Sequence, residues 1–300
     1  MTQALPNEMR DSSLSAITPQ VLAQLESWRG RSEISNDEVT GSPMRGMAAA
    51  LDFGGPSEGE GQLPPLWHWL YFLPSPARSE LGSDGHPRLG GFLPPVPLPR
   101  RMWAGGRLQW HRDLRVGDKI QQIPRVVSVT HKAGRSGDLI FLTLRNEVTR
   151  GGELVLTEEK DLVYRAPAQP GDPVPASQAA PAQAVWSREI LPDPVLLFRY
   201  SALTFNSHRI HYDRPYATEV EDYPCLVVHG PLIATLLMEL ARASLPSARV
   251  KAFSFKAVRP TIDLHPFRVC GRPSADGTSA EMWAQDHEGA ITMQANVRFA

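Results

Sequence analysis

Apolar residues recur at three- and four-residue steps through residues 231–245: Leu232, Ile233, Leu236, Leu237, Leu240 and Ala241, with Ala234, Met238 and Ala243 filling in between. That period predicts an α-helix, and its almost all-round apolarity predicts a helix wrapped by other structure. Gly230 and Pro231 suit its start, because proline lacks an N–H that would have no intrahelical partner there; Pro246 suits its end. At about 1.5 Å per residue such a helix spans roughly 22 Å, enough to cross a small sheet.

The pattern then changes period. Phe253, Phe255 and Ala257 alternate with Ser254, Lys256 and Val258 before Arg259 and Pro260 interrupt. Residues 265–272, 281–286 and 290–299 predict three more strands, with turns at 271–273 and 288–289. A loop, one buried helix and an antiparallel meander is the order of a sheet wrapped around a helix, the hot-dog architecture of the α+β class. The first half repeats the order more weakly. Thr18 and Pro19 start a helix that Gly30 ends, a short helical turn covers 44–51, and residues 63–73 (LPPLWHWLYFL) predict a buried helix. Leu108, Trp110 and Arg112 begin a strand running into 114–118, which resembles the 253–260 stretch as a diverged repeat. Strands at 126–131, 139–148 and 154–164 follow. Residues 166–184, rich in proline and alanine and nearly uncharged, read as a linker. The expectation is a tandem hot-dog: one domain over 1–165, the linker, and a second domain over 185–300.

Composition narrows the function classes. A net charge of −1 gives no footprint for nucleic acid, and no block of like charge suggests a membrane surface. Two cysteines, Cys225 and Cys270, make no disulfide framework. No apolar run approaches the length of a membrane span, and the first residues lack a signal-peptide core. A soluble cytoplasmic chain is expected.

The polar residues with chemical potential gather ahead of the long helix. Asn206, His208 and His211 lie about twenty residues before His229 and Gly230. A helix N-terminus presents unpaired N–H donors and partial positive charge, and so favours a developing oxyanion. Pro231 cannot donate, which leaves the Gly230 N–H as the leading donor. Histidine titrates near neutral pH and suits proton transfer beside it.

Residues 200–237, through FNSHRIHYD and YPCLVVHGPL, resemble the MaoC-like hydratase/dehydratase superfamily. Within it the similarity is greatest to the double-hot-dog mesaconyl-C4-CoA and itaconyl-CoA hydratases and to 3-hydroxyacyl-thioester dehydratases. A second match lies at LPPLWHWLYFLP and GGFLPPVPLPRRMWAGGRL in the first half. The resemblance implies hydration or dehydration of an acyl-CoA thioester, with coenzyme A entering only as part of the substrate and no metal or other cofactor. It places His211 as the proton-transferring residue. The family motif carries an Asp five positions before that His; here Asn206 stands there, an amide that cannot act as a base. Asn206 is therefore expected to orient the water or the imidazole. No His lies between Leu51 and Pro64, so the first half is expected to be non-catalytic and to shape the acyl pocket. A dicarboxylic acyl group would need a cation, for which Arg100, Arg101 and Arg209 are candidates, with Trp103 nearby. A homodimer is compatible with such sheets.

Plainer readings stand beside these. His208 is read first as a loop-structuring residue, and second as one that fixes the His211 tautomer. His229 is read as a cap or packing residue before a proton donor, and Asp213 as a turn residue with Arg214 and Pro215 before a replacement carboxylate. Cys225 has no base placed for it and reads as a core residue. Trp67, Trp69, Tyr71 and Phe72 are core first and pocket wall second. Arg100, Arg101 and Arg107 form either a solvated face or a site for phosphate or carboxylate. Lys132 and Arg135 read as turn residues first. Rival functions are a general 3-hydroxyacyl-CoA or acyl-carrier-protein dehydratase, a thioesterase on the same fold, and a non-catalytic acyl-binding subunit.

Overall fold

The computed structural model describes residues 17–52, 61–134, 137–167 and 176–300. The expectations placed on residues 1–16, 53–60, 168–175 and on Arg135 lie outside these. Among the described residues ten strands form one antiparallel sheet. In chain order they are β1 (Ser35–Glu38), β2 (Arg100–Trp110), β3 (Lys119–Gly134), β4 (Gly137–Arg150), β5 (Glu153–Arg165), β6 (Trp186–Ile190), β7 (Val250–Ala257), β8 (Phe267–Pro273), β9 (Ser279–Gln285) and β10 (Ile291–Phe299). The helices are α1 (Pro19–Glu26), α2 (Gly41–Leu51), α3 (Pro194–Leu203) and α4 (Gly230–Ser244).

The order across the sheet is β1-β3-β4-β5-β2-β7-β10-β9-β8-β6. Counted outward from its centre, each half has the same sequence of strands: second, fifth, fourth, third, first. This is the double hot-dog arrangement, with the two copies joined edge to edge. The join is the antiparallel pairing of β2 with β7, Gly106 opposite Phe255 and Leu108 opposite Phe253. Gly105 and Gly106 serve that join: a Cβ at Gly105 would lie 2.5 Å from the Phe255 carbonyl oxygen, and one at Gly106 would lie 2.8 Å from its ring.

Helix α4 matches the apolar pattern, and every residue from Leu232 to Ala241 is buried. It packs on β8, β9, β10 and β6. Fully burying a single leucine contributes about 1.5–3 kcal/mol, so this stripe dominates the second half's core. Near its C-terminal end Glu239, itself buried, accepts from the Trp67 indole N–H at 2.9 Å and from Arg242 at 2.7 Å. That contact ties the first half's aromatic segment to the second half's helix.

The first half departs from the sequence expectation. Residues 63–73 hold only a 3-10 turn, Trp67–Leu70, where a buried helix was expected. Leu66 (φ +72°) and Phe72 (φ +54°) take left-handed conformations on either side, and Pro74 disfavours the helical region at Leu73. The strand expected at 108–112 begins instead at Arg100 and ends at Trp110; residues 114–118 form a turn around Gly117 (φ +93°). Helix α1 starts on the Thr18 hydroxyl, which accepts from the Val21 N–H at 3.2 Å. The expected turn at 44–51 is the longer helix α2.

The strand expected at 126–131 is the longer β3, which starts seven residues earlier at Lys119, and the strands expected after it fall within about three residues of their limits. Helix α3 has no counterpart in the sequence reading, although Asp193-Pro194 is a start signal: the Asp193 carboxylate accepts from the Leu196 N–H at 2.8 Å. Within the expected linker, residues 178–180 run along the start of β10, with the Ile291 N–H donating to Gln178 and the Ala180 N–H to Gly289. No helix of the described residues is long and apolar enough to cross a membrane.

Candidate active site

The loop between α3 and α4 is short of regular structure because prolines and turn-forming side chains punctuate it. Asn206 spends its carboxamide oxygen on the His208 N–H at 3.0 Å, an Asx turn that shapes the loop. Residues Arg209–His211 then form one 3-10 turn that delivers the His211 ring to the start of α4.

His211 is buried, and its Nδ1 lies 2.6 Å from the Val227 carbonyl oxygen. A carbonyl only accepts, so Nδ1 carries the proton and donates it, and Nε2 is left with a lone pair. The ring stacks on His229 at 3.7 Å between centroids, with 20° between planes. His229 is fully buried at the N-cap of α4 and makes no side-chain capping bond. Its Nε2 is 2.8 Å from the Ser201 hydroxyl on α3, and its ring lies 5.0 Å from that of Tyr200. It packs and orients His211. Burial lowers the His211 pKa to about 4 and the His229 value well below the usual imidazole range; both rings are neutral at pH 7.

Beside them the Gly230 N–H opens the helix and has no acceptor among the described residues. A Cβ at Gly230 would lie 3.9 Å from the Trp103 carbonyl oxygen and 3.9 Å from Met293. The helix mouth therefore faces the first half's central strand β2. Trp103 itself stacks edge-on against Trp69 at 5.1 Å and near Phe255 at 5.9 Å, and its indole N–H donates to Gly105 at 2.8 Å. These aromatics form an apolar wall near the seam of the halves.

The candidate cations sort by their partners. Arg100 is bound by Glu221 at 3.3 Å and by Asp222 at 3.4 Å, so its expected role toward a ligand is taken up by structure. Arg209 is held by Asp213 at 2.7 Å and lies over the Tyr216 ring at 4.1 Å. Arg107 is held by Glu159 and Asp161. Arg101 has no carboxylate in ion-pair contact among the described residues, and its charge acts on His86 and His208. Asp213 caps the Tyr216 N–H at 3.2 Å, a turn role. Cys225 is buried beside Arg214.

Two residues of the site had no sequence signal. Asp84 and His86, in a loop ahead of β2, bring the His86 ring within 4.1 Å of that of His208; His208 in turn meets His211 edge-on at 5.4 Å. Only contact across the halves, more than a hundred residues apart in sequence, reveals them. A separate cleft of about 520 Å³ opens at the opposite end of α4. Its Arg112, Arg242 and Arg249 are already ion-paired, and none of these site histidines lines it.

Residues 66–263 match the model of the family described as hydroxyacyl-thioester dehydratase type 2. The chain belongs to this family. It is 47% identical over 275 residues to the mesaconyl-C(4)-CoA hydratase of Chloroflexus aurantiacus, covering 90% of this chain and 96% of that protein. It is 30% identical over 233 residues to the mitochondrial hydroxyacyl-thioester dehydratase type 2 of Schizosaccharomyces pombe, covering 69% and 77%. A solved MaoC-like dehydratase superposes with a TM-score of 0.68 over 92% of this chain and all of that one, at 15% identity, which speaks to the fold.

Proposed function

We propose that this chain catalyses the reversible hydration of an α,β-unsaturated acyl-CoA, with a branched dicarboxylic C5 enoyl-CoA, mesaconyl-C4-CoA or itaconyl-CoA, as substrate and citramalyl-CoA as product. The observation that carries the reaction class is the tautomer of His211: Nδ1–H is committed to Val227, so Nε2 is the free base, on a ring stacked against the His229 that immediately precedes Gly230. The identity to the Chloroflexus hydratase supports the acyl group.

In the hydration direction, Nε2 of His211 takes a proton from water as the water oxygen bonds to the β-carbon. The C=C electron pair moves onto the α-carbon and carbonyl, giving an enolate whose oxygen accepts from the Gly230 N–H. The α-carbon then takes the proton back from Nε2–H, which restores neutral His211. These steps need a base, an N–H donor and a closed site, and so call for no metal or redox cofactor. Asn206 acts by shaping the loop that carries His211. Arg101, which among the three candidate arginines has no carboxylate in ion-pair contact among the described residues, would meet the substrate's free carboxylate.

Loss of enoyl-thioester absorbance with mesaconyl-C4-CoA, itaconyl-CoA and crotonyl-CoA tests this. Rapid loss with the dicarboxylic substrates is expected, falling about 10³-fold in His211→Ala. Arg101→Gln should cut dicarboxylic turnover about 10- to 100-fold, the worth of a charged hydrogen bond, and leave crotonyl-CoA unaffected. Equal or better turnover of crotonyl or longer chains by wild type would favour the general 3-hydroxyacyl-thioester dehydratase, the activity named for the fission-yeast relative. Absence of turnover with every substrate would sink the mechanism.

A further inference from the structure

The imidazole group that begins at His229 and His211 continues into the first half of the chain. His208 lies edge-on to His211 at 5.4 Å, His86 lies 4.1 Å from His208, and Asp84 closes the series. Asp84 uses both oxygens on His86: Oδ1 accepts from its backbone N–H at 3.0 Å and Oδ2 from its Nδ1 at 2.9 Å. That fixes the His86 tautomer and turns the rest of its ring toward His208.

The loop carrying this pair is fastened to the catalytic loop. The Arg209 N–H donates to the Asp84 carbonyl at 2.9 Å, the Arg209 guanidinium to the Ser83 carbonyl at 3.0 Å, and the Ser207 hydroxyl to the Gly85 carbonyl. Gly85 (φ +88°) permits it, since a Cβ there would sit 1.9 Å from the Ser207 carbonyl oxygen.

Charge gives the arrangement a purpose. When His211 takes a proton, a cation forms in a buried group with three further imidazoles and with the Arg101 charge acting on two of them. The other nearby carboxylates are matched: Asp213 by Arg209, Glu221 by Arg100. Tyr164 and Tyr216 also feel the Asp84 charge, but burial raises both phenols' pKa and keeps them neutral. Asp84 has no arginine or lysine in ion-pair contact among the described residues; its partner is the His86 imidazole.

We propose that Asp84 and His86 are positioning residues for His211: through His208 they orient the catalytic ring and supply the negative charge that offsets its protonated state. This rests on the hydratase reading of the site. The first half then contributes to the chemistry itself as well as to the walls of the pocket. A unit charge acting over roughly 8–10 Å at an effective dielectric of about 20 changes a rate by about 10- to 30-fold.

The test is steady-state kinetics across pH on wild type, Asp84→Asn, His86→Gln, their double variant, and Asp84→Asn combined with Asn206→Asp, each checked by thermal unfolding. Expected are a kcat fall of about 10- to 30-fold in Asp84→Asn, which removes the charge, a smaller fall in His86→Gln, which leaves the carboxylate in place, KM within about threefold, and a double variant no worse than Asp84→Asn. The acid limb of kcat/KM should move to lower pH in Asp84→Asn, because removing the carboxylate disfavours the imidazolium; a merely structural role would leave it in place. Asn206 lies on the same loop with its oxygen on His208, so Asn206→Asp should restore much of the lost kcat by returning a carboxylate to the group. Unchanged kcat and pH profile in both single variants, or no recovery on adding Asn206→Asp, overturns the proposal while leaving the hydratase reading intact. Absence of turnover by wild type sinks both. Asp84, His86 and His208 offer ligating atoms within 4.8 Å of one another. Activity lost to a chelator and regained with zinc would therefore overturn the charge-offset role in favour of a metal.

Discussion

The two halves share one strand order and differ in what fills the concave side of the sheet. The second half lays the fifteen-residue helix α4 across its strands and sets that helix's start beside the buried His211 and His229 rings. The first half has a four-residue 3-10 turn in the corresponding stretch, flanked by left-handed Leu66 and Phe72. A separate cluster there packs α1 and Leu89, Phe92, Leu93, Val96 and Leu98 against β3 and β4, while α2 and residues 63–71 join the main core. The difference teaches that a hot-dog copy can lose its helix, and with it the N–H donors of an oxyanion site, and keep its sheet. What the degenerate copy retains is reach: β2 brings Arg101 and Trp103, and the preceding loop brings Asp84 and His86, to the partner copy's helix mouth.

The comparison can be broken most directly at the helix. Leu237→Ala, at a fully buried position of α4, should destabilise the protein by about 3 kcal/mol in chemical denaturation. A loss under about 1 kcal/mol would mean that the helix is not the organising element of its half. Acid should act next. His211, with a folded pKa of about 4, and His208, near 2, are held neutral by burial, and both would take protons near pH 6.5 in the unfolded chain. Their contribution to stability is therefore present above about pH 6.5 and is lost as pH falls, toward 4 for His211 and toward 2 for His208. For the same reason the acid limb of wild-type kcat/KM should lie near pH 4. A limb near 6.5 would show that His211 is solvated in the free enzyme. The smallest effect is at α3, whose cap secures the floor under His229: Asp193→Ala should cost about 1 kcal/mol of stability. A null result there would leave Ser201 and Tyr200 positioned by packing alone.

Legibility followed locality. Helix α4, the strands after it, and the His211–Gly230 pairing could be read because they lie within one continuous stretch with a clear period. Residues 63–73 misled because an apolar run with aromatic residues does not by itself separate a buried helix from an irregular segment packed in a core; two left-handed residues decided the matter. Asn206 was visible as a departure, but the loop contact of its oxygen was not. Arg100, Arg101 and Arg209 were equivalent in sequence, and the ion pairs with Glu221 and Asp213 separated them.

The sequence by itself determined the class of fold, the long helix with its proline-marked start, and the histidine-bearing loop that precedes it, because each rests on interactions between near neighbours in the chain. Tertiary structure alone decided which nitrogen of His211 is free and which arginine is left unmatched. It also joined β2 to β7 and brought Asp84 and His86 against the loop that carries His208 and His211. Those outcomes depend on contacts between residues far apart in the chain, as the 151 positions between Gly105 and Lys256. Period and propensity carry no information about such distances; the shape of the closed sheet does.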